Sequence, residues 1–272
     1  MSTNAEDQEE MSSPYALEIR TVQASAFKIL IEALKELLTD TCIDFDENGM
    51  KIVSLDNSHV VLVHLKLDAS KFEYFYCEKK ITIGVNMLNL YKLIRTINSN
   101  DTLTIFIEST DSNHLGIKIE NGEKNTKTTY KLNLLDLDNP KISINSADFN
   151  YEIMLQSADF QKICRDMYNI AEVVEIKNIG NQLILSCQGD FCSQVTLLAD
   201  TENYSCKSNN NNNNIVQGVF NLKYLVLFTK CTNLCSTVEL FLKNDYPLLL
   251  KYMVASLGEV KLCLAPQYQS YD

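Results

Sequence analysis

The amino-acid sequence predicts an α+β chain made of two similar halves, and three observations carry that reading. Apolar residues alternate with period two along most of the chain, the mark of strands with one covered face. Four amphipathic segments with helical spacing interrupt this alternation, at 25–38, 85–95, 157–171 and 220–230. They fall in the same order in each half: SAFKILIEALKELL and VNMLNLYKLIR, then SADFQKICRDMYNIA and FNLKYLVLFTK. Strands and paired helices repeated in this way give sheets covered on one side by helices.

Residues 1–14, MSTNAEDQEEMSSP, hold four carboxylates and no base, so a disordered acidic tail is expected. The first domain is expected over 15–135. Its opening helix carries Phe27, Leu30, Ile31, Leu34, Leu37 and Leu38 on one side. Strands follow at 60–67 (Val61, Val63, Leu65, Leu67), 103–107, 115–119 and 130–134, with the second helix at 85–95. Alternation weakens over 136–150, DLDNPKISINSADFN, where Asp136, Asp138, Asn139 and Pro140 break regular structure; this is an interdomain connector. The second domain, 151–266, repeats the plan, with strands around Leu183/Leu185/Cys187, Val238/Leu240/Leu242, Leu248/Leu250/Tyr252 and Val260/Leu262/Leu264. Within it TENYSCKSNNNNNN, residues 201–214, is expected to be a mobile surface loop between two strands, because six asparagines bury nothing. Residues 267–272 form a short C-terminal tail.

A chain of 272 residues with 46% hydrophobic content can bury one large or two medium cores. Its 35 acidic and 24 basic residues, net charge −11, argue against a protein that coats nucleic acid with its whole surface. No run of about 18 apolar residues is present and the N-terminus lacks signal-peptide regions, so a soluble intracellular protein with no membrane partner is expected. Nine cysteines without CxxC spacing read as free thiols; Cys231 and Cys235 have no histidine or second pair around them, and no metal or other cofactor is assigned. His59, His64 and His114 are the only histidines in the sequence and belong to no triad, zinc or phosphate-loop motif, so no enzyme is expected.

The basic residues of the helices are segregated. Lys28 and Lys35 lie on the first, Lys92 and Arg95 on the second, Lys162 and Arg165 on the third, Lys223 and Lys230 on the fourth, with Glu32 and Asp166 as nearby acids. Four cationic stripes in an acidic chain, merged on one side of a sheet, make a surface fit for phosphates. A cation about 8 Å from a phosphate across water gains roughly 0.5 kcal/mol. Contacts of that size do not grip a sequence; they keep a duplex centred while it slips between phosphates. The lack of Trp and the scarcity of aromatic residues on the stripes argue against single-strand binding.

Over residues 15–266 the chain resembles sliding clamps of the proliferating cell nuclear antigen family. The matching strings are LIEALKELLTD, SLDNSHVVLV, IGVNM, LDLD at 135–138, FQKICRD, YLVLFTK with STVEL, and the closing LAP at 264–266. The resemblance implies two clamp domains per chain, helices on the inner face and sheets outside, in a head-to-tail homotrimeric ring around duplex DNA. The eight cations named above match the family's channel lining; Lys28 is followed by Ile29, one cation fewer than in relatives with two adjacent lysines. A partner-peptide pocket is implied at Leu55, His59, Val60, Leu62, Asp136, Leu137, Asp138, Ile142, Ile144, Pro247, Ala265 and Pro266. Cys263 stands where the family usually has a pocket tyrosine, and Gln267 where a lysine is common. Near Gly180, where many eukaryotic relatives carry a modified lysine, Lys177 is the nearest candidate. Ring closure is expected to pair edge strands at about 113–119 and 191–199.

The resemblance thus implies a DNA polymerase processivity factor, partnered by a polymerase, a clamp loader, and a nuclease and ligase bearing clamp-binding peptides. A heterotrimeric checkpoint-clamp subunit and a monomeric polymerase accessory factor are the alternatives. The nucleus, or a viral replication compartment, is the expected location.

Overall fold

The computed structural model describes residues 13–138, 142, 147–199, 204–208 and 215–267. The first half runs β1 (Tyr15–Thr21), α1 (Ala24–Leu34), β2 (Asp40–Asp46), β3 (Gly49–Leu55), β4 (Val61–Asp68), β5 (Tyr74–Cys77), β6 (Ile81–Asn86), α2 (Met87–Ile94), β7 (Asp101–Glu108), β8 (Asp111–Asn121) and β9 (Thr126–Asn133). The second runs β10 (Tyr151–Gln156), α3 (Ser157–Tyr168), β11 (Val173–Ile179), β12 (Gln182–Gln188), β13 (Ser193–Leu198), β14 (Tyr204–Ser208), β15 (Val216–Asn221), α4 (Leu222–Phe228), β16 (Thr237–Leu242), β17 (Leu248–Val254) and β18 (Gly258–Leu264). Short 3-10 turns occupy Ala69–Lys71 and Thr229–Asn233. The two element orders are the same.

So are the sheets. Strand order β5-β1-β7-β8-β9 in the first half is repeated by β14-β10-β16-β17-β18, and β4-β3-β2-β6 by β13-β12-β11-β15. The halves are joined edge to edge: β18 pairs antiparallel with β4, from Gly258 opposite Leu67 to Leu264 opposite Val61, making one nine-stranded sheet across the chain. Gly258 permits this approach, since a Cβ there would stand 2.1 Å from the Lys66 carbonyl oxygen. Val61, Val63, Leu65, Leu67, Val260, Leu262 and Leu264 alternate inward on the two strands and are all fully buried.

The helices form where apolar spacing and caps agree. Phe27 and Phe160, Ile31 and Cys164, Leu34 and Met167 hold matching buried positions on α1 and α3. Asn86 and Asn221 cap α2 and α4 alike, each side chain accepting from a first-turn N–H, Asn89 and Lys223, at 2.9 Å. The expected helix 25–38 ends sooner, at Leu34, and finishes as a turn in which Glu36 N–H donates to Ala33 O.

Two expectations are corrected. Segment 113–119 is not an edge: it lies in β8, hydrogen-bonded to β7 on one side and β9 on the other, so the edge strand on that side of the sheet is β9, with β5 at the opposite edge. Alternation marks a strand but not how many neighbours it has. The second, 191–199, does contain an edge strand, β13. Within the expected loop 201–214, residues Tyr204–Ser208 form β14 on β10, because burying Tyr204 and completing the β10 ladder outweigh the polar composition. The asparagine run 209–214, residues 1–12 of the acidic tail and Ile144 lie outside the described residues.

Candidate nucleic-acid interface and docking site

The four helices make one layer. α1 packs on α2, α3 on α4, and the turn Thr229–Asn233 touches both α1 and α3. Six of the eight cations, Lys92, Arg95, Lys162, Arg165, Lys223 and Lys230, are exposed on it. Among the described residues, no ion pair involves Lys92, Arg95, Lys162, Arg165 or Lys223.

Lys28, Lys35 and Lys230 are engaged within the chain. The Lys28 ammonium donates to the Ile97 carbonyl beyond the end of α2. Gln161, which holds the matching position on α3, donates to the Thr229 carbonyl at the end of α4, at 2.7 Å. In both halves this position ties one helix to its partner. Lys35 lies over the Tyr91 ring, 4.9 Å from its centroid, and pairs with Glu36. Glu36 also takes Lys230 at 3.1 Å, linking the end of α1 to the second half. The Lys35 ammonium, joined by Lys230 and opposed by partial burial, holds the Glu36 carboxyl below the usual carboxylate range. Burial and the bond its hydroxyl gives to Glu32 push the Tyr91 phenol up. Reading the stripes from sequence missed Glu36, because it lies beyond the helical part of the segment. It also passed over Tyr91 and Tyr224, which share the helix layer.

On the opposite face, the outward residues of the β18–β4 junction meet. Leu62 stands opposite Cys263, Leu55 opposite Leu62, and the Ala265 N–H donates to the Val60 carbonyl at 3.0 Å. Leu55 is exposed, and Val60, Leu62, Cys263, Pro247, Ala265 and Pro266 are half-buried. Burial raises the Cys263 thiol to about 11, so it is a neutral apolar surface here. His59 is exposed, with φ 59°. The loop that carries it is held by Asp56, whose carboxylate accepts from Val60 N–H at 2.8 Å, Val61 N–H at 2.7 Å, Ser58 N–H at 3.2 Å and the Ser58 hydroxyl. Burial works against its charge, yet these bonds outweigh it and keep the Asp56 carboxyl below its ordinary value. The Ser58 hydroxyl also lies 2.9 Å from that of Tyr224, on α4 of the other half.

The connector leaves the first half at β6, where Leu135 N–H donates to the Gly84 carbonyl at 2.8 Å and Leu137 packs at Gly84. It rejoins the second half where Asn150 N–H donates to Leu242 O. Asp136 and Asp138 are exposed, Leu137 and Ile142 half-buried. The structure therefore brings Leu55, Val60, Leu62, Ala265 and Cys263 together, with Asp136, Leu137 and Asp138 beginning from the far edge of the same sheet. Among the described residues no group of His, Cys, Asp or Glu is arranged to hold a metal, and no helix is long and apolar enough to cross a membrane.

A layer of cationic helices backed by shared sheets, in two repeated halves whose outer strands are left open, defines a clamp module. The N-terminal domain profile of proliferating cell nuclear antigen matches residues 16–141, and the C-terminal domain profile matches 143–267. The chain belongs to this family of sliding clamps. It is 37% identical over 252 residues, 91% of this chain and 95% of the relative, to a probable DNA polymerase sliding clamp 1 of Paramecium bursaria Chlorella virus 1. It is 31% identical over 289 residues, 92% of this chain, to a probable DNA polymerase sliding clamp of Acanthamoeba polyphaga mimivirus, of which it spans 62%.

Proposed function

We propose that the chain is a DNA polymerase processivity factor: three copies close head to tail into a ring, helices inward around duplex DNA, and partner proteins dock on the outer sheet face. The observation that carries this is the β18–β4 ladder. It joins two similar halves within the chain, and the corresponding strands, β9 and β13, each have a neighbour on one side only, β8 and β12, among the described residues. A second copy can repeat the same joint there, β9 on β13, and a rotation that closes yields a ring. Val195 and Leu197 on β13 are 69% and 54% exposed, as expected of a strand awaiting a neighbour.

A cleft of about 180 Å³ beside β8 and β9, lined among others by Asn98, Asp101, Asn121, Lys124 and Tyr130, supports the same joint. Its counterpart in the second half, around Tyr252, Val254 and Val260, is fully buried on the side where α1 packs against β17. By the repeat, α3 of the next copy covers the open cleft.

Lys92, Arg95, Lys162, Arg165 and Lys223 are the cations available to phosphates in this reading, with Lys28 and Lys35 serving the helix layer. The strip Leu55, Val60, Leu62, Ala265 beside the connector is the docking site for peptides of a polymerase, clamp loader, nuclease or ligase, bound by apolar anchors. Both viral relatives support a viral replication compartment as its location. Chemistry is left to the partners. The test is retention on DNA: the ring stays on closed circular duplex at high salt and runs off once the circle is cut, with a trimer mass in solution. Equal loss from circular and linear DNA, a stable monomer, or an obligatory heteromer overturns the reading.

A further inference from the structure

Resting on that ring, we infer that its subunit joints lack the ion pair that locks the joint inside each chain, and that the phosphates of bound duplex take the place of the missing acid. The internal repeat supplies the comparison. Inside the chain the helix layer is locked across the two halves by Glu36, beyond the end of α1, on Lys230, beyond the end of α4. The same two positions meet again where one subunit's α3 lies beside the next subunit's α2. Aligning α1 with α3 through Phe27/Phe160 and Leu34/Met167 sets Glu36 against Asn169. Aligning α2 with α4 through their capping Asn86 and Asn221 sets Lys230 against Arg95. The cation is kept and the acid is not.

The neighbouring positions point the same way. Ile29 of α1 is matched by the exposed Lys162 of α3, adding a cation beside the joint. The acid gained on that face, Asp166, is exposed in the single chain; it matches the buried Ala33, so by the repeat it faces the cleft that holds Lys124. Arg95 and Lys162 have no carboxylate of their own to satisfy them: neither is in an ion pair among the described residues, whereas Lys230 is. Closing the ring therefore brings Arg95 and Lys162 together at each subunit joint with Asn169 in place of the bridging acid, a contact that costs free energy until a polyanion bridges it. Duplex in the channel supplies that bridge, so ring closure and duplex binding reinforce one another.

The experiment measures the trimer dissociation midpoint, by mass in solution over a dilution series, without and with a short linear duplex at about 50 and 200 mM salt. For the wild-type chain the duplex lowers the midpoint at the lower salt and loses this effect at the higher. Asn169→Glu, which restores the acid, lowers the duplex-free midpoint about threefold, the scale of one exposed ion pair, and shrinks the duplex effect. That direction is opposite to the effect of adding negative charge to an already acidic subunit, and Ser70→Glu, on the exposed turn 69–71, serves as the control for it. The gain from Asn169→Glu vanishes when Arg95→Gln is added, as a double-mutant cycle requires. If the trimer forms but Asn169→Glu changes neither midpoint nor duplex effect, or acts equally without Arg95, the inference is wrong and the ring stands. If no trimer forms at any concentration, the ring itself is wrong.

Discussion

Replacing Asp56 by Asn tests whether one buried carboxylate shapes the loop beside the face proposed for docking. Asp56 is 8% exposed and its two oxygens serve different partners: Oδ1 accepts from Val60 and Val61 N–H, Oδ2 from Ser58 N–H and its hydroxyl. An amide keeps one acceptor and turns an NH₂ toward donors on the other side. Bonds to a charged acceptor contribute about 1.5–3 kcal/mol each and are not additive, so a loss of about 2 kcal/mol in urea unfolding is expected at neutral pH. The folded-state pKa of Asp56 is depressed, so its stabilisation is present above the unfolded value, about 3.9, and is lost as pH falls through the folded value. The stability gap between wild type and Asp56→Asn therefore closes in acid. Because the loop carries His59 and Val60, affinity for a clamp-binding peptide falls as well. A loss below about 0.5 kcal/mol, within the range of ordinary surface substitutions, with no change of the gap in acid, would refute this account of the loop.

Gly258→Val forces a Cβ into the Lys66 carbonyl and parts β18 from β4; destabilisation of about 3 kcal/mol by thermal unfolding is expected, and a change under about 1 kcal/mol would show that the joint yields easily. Glu36→Gln frees Lys230 on the helix layer, so in the proposed ring duplex affinity should depend more steeply on salt, by roughly one unit of slope per phosphate gained. An unchanged slope would mean that Lys230 does not face phosphate. Burial raises Cys164 far above the ordinary thiol value and Cys231 to about 12, so a thiol reagent at mildly alkaline pH leaves both unlabelled in the native protein and labels them on unfolding. Rapid native labelling of either would show that this core opens.

Legibility in the sequence tracked local periodicity. The duplication, the four helices and strands such as β4, β7 and β18 are written in spacings of two and three to four residues, which the backbone enforces without reference to anything distant. The apolar outer residues Val60 and Leu62 were visible for the same reason, since they alternate with the buried Val61 and Val63. Glu36 was not, because its role depends on α1 ending at Leu34 and on Lys230 arriving from the other half. The edge at β9, mistaken for 113–119, and the strand β14 depended on which ladders neighbours complete. The sequence by itself determined two repeated α+β halves and a cationic stripe on each helix. Only the tertiary structure decided that β18 meets β4, which cations are tied up within the chain, and which strands stay open, because edge pairing and most of these contacts join residues whose separation along the chain leaves no periodic trace.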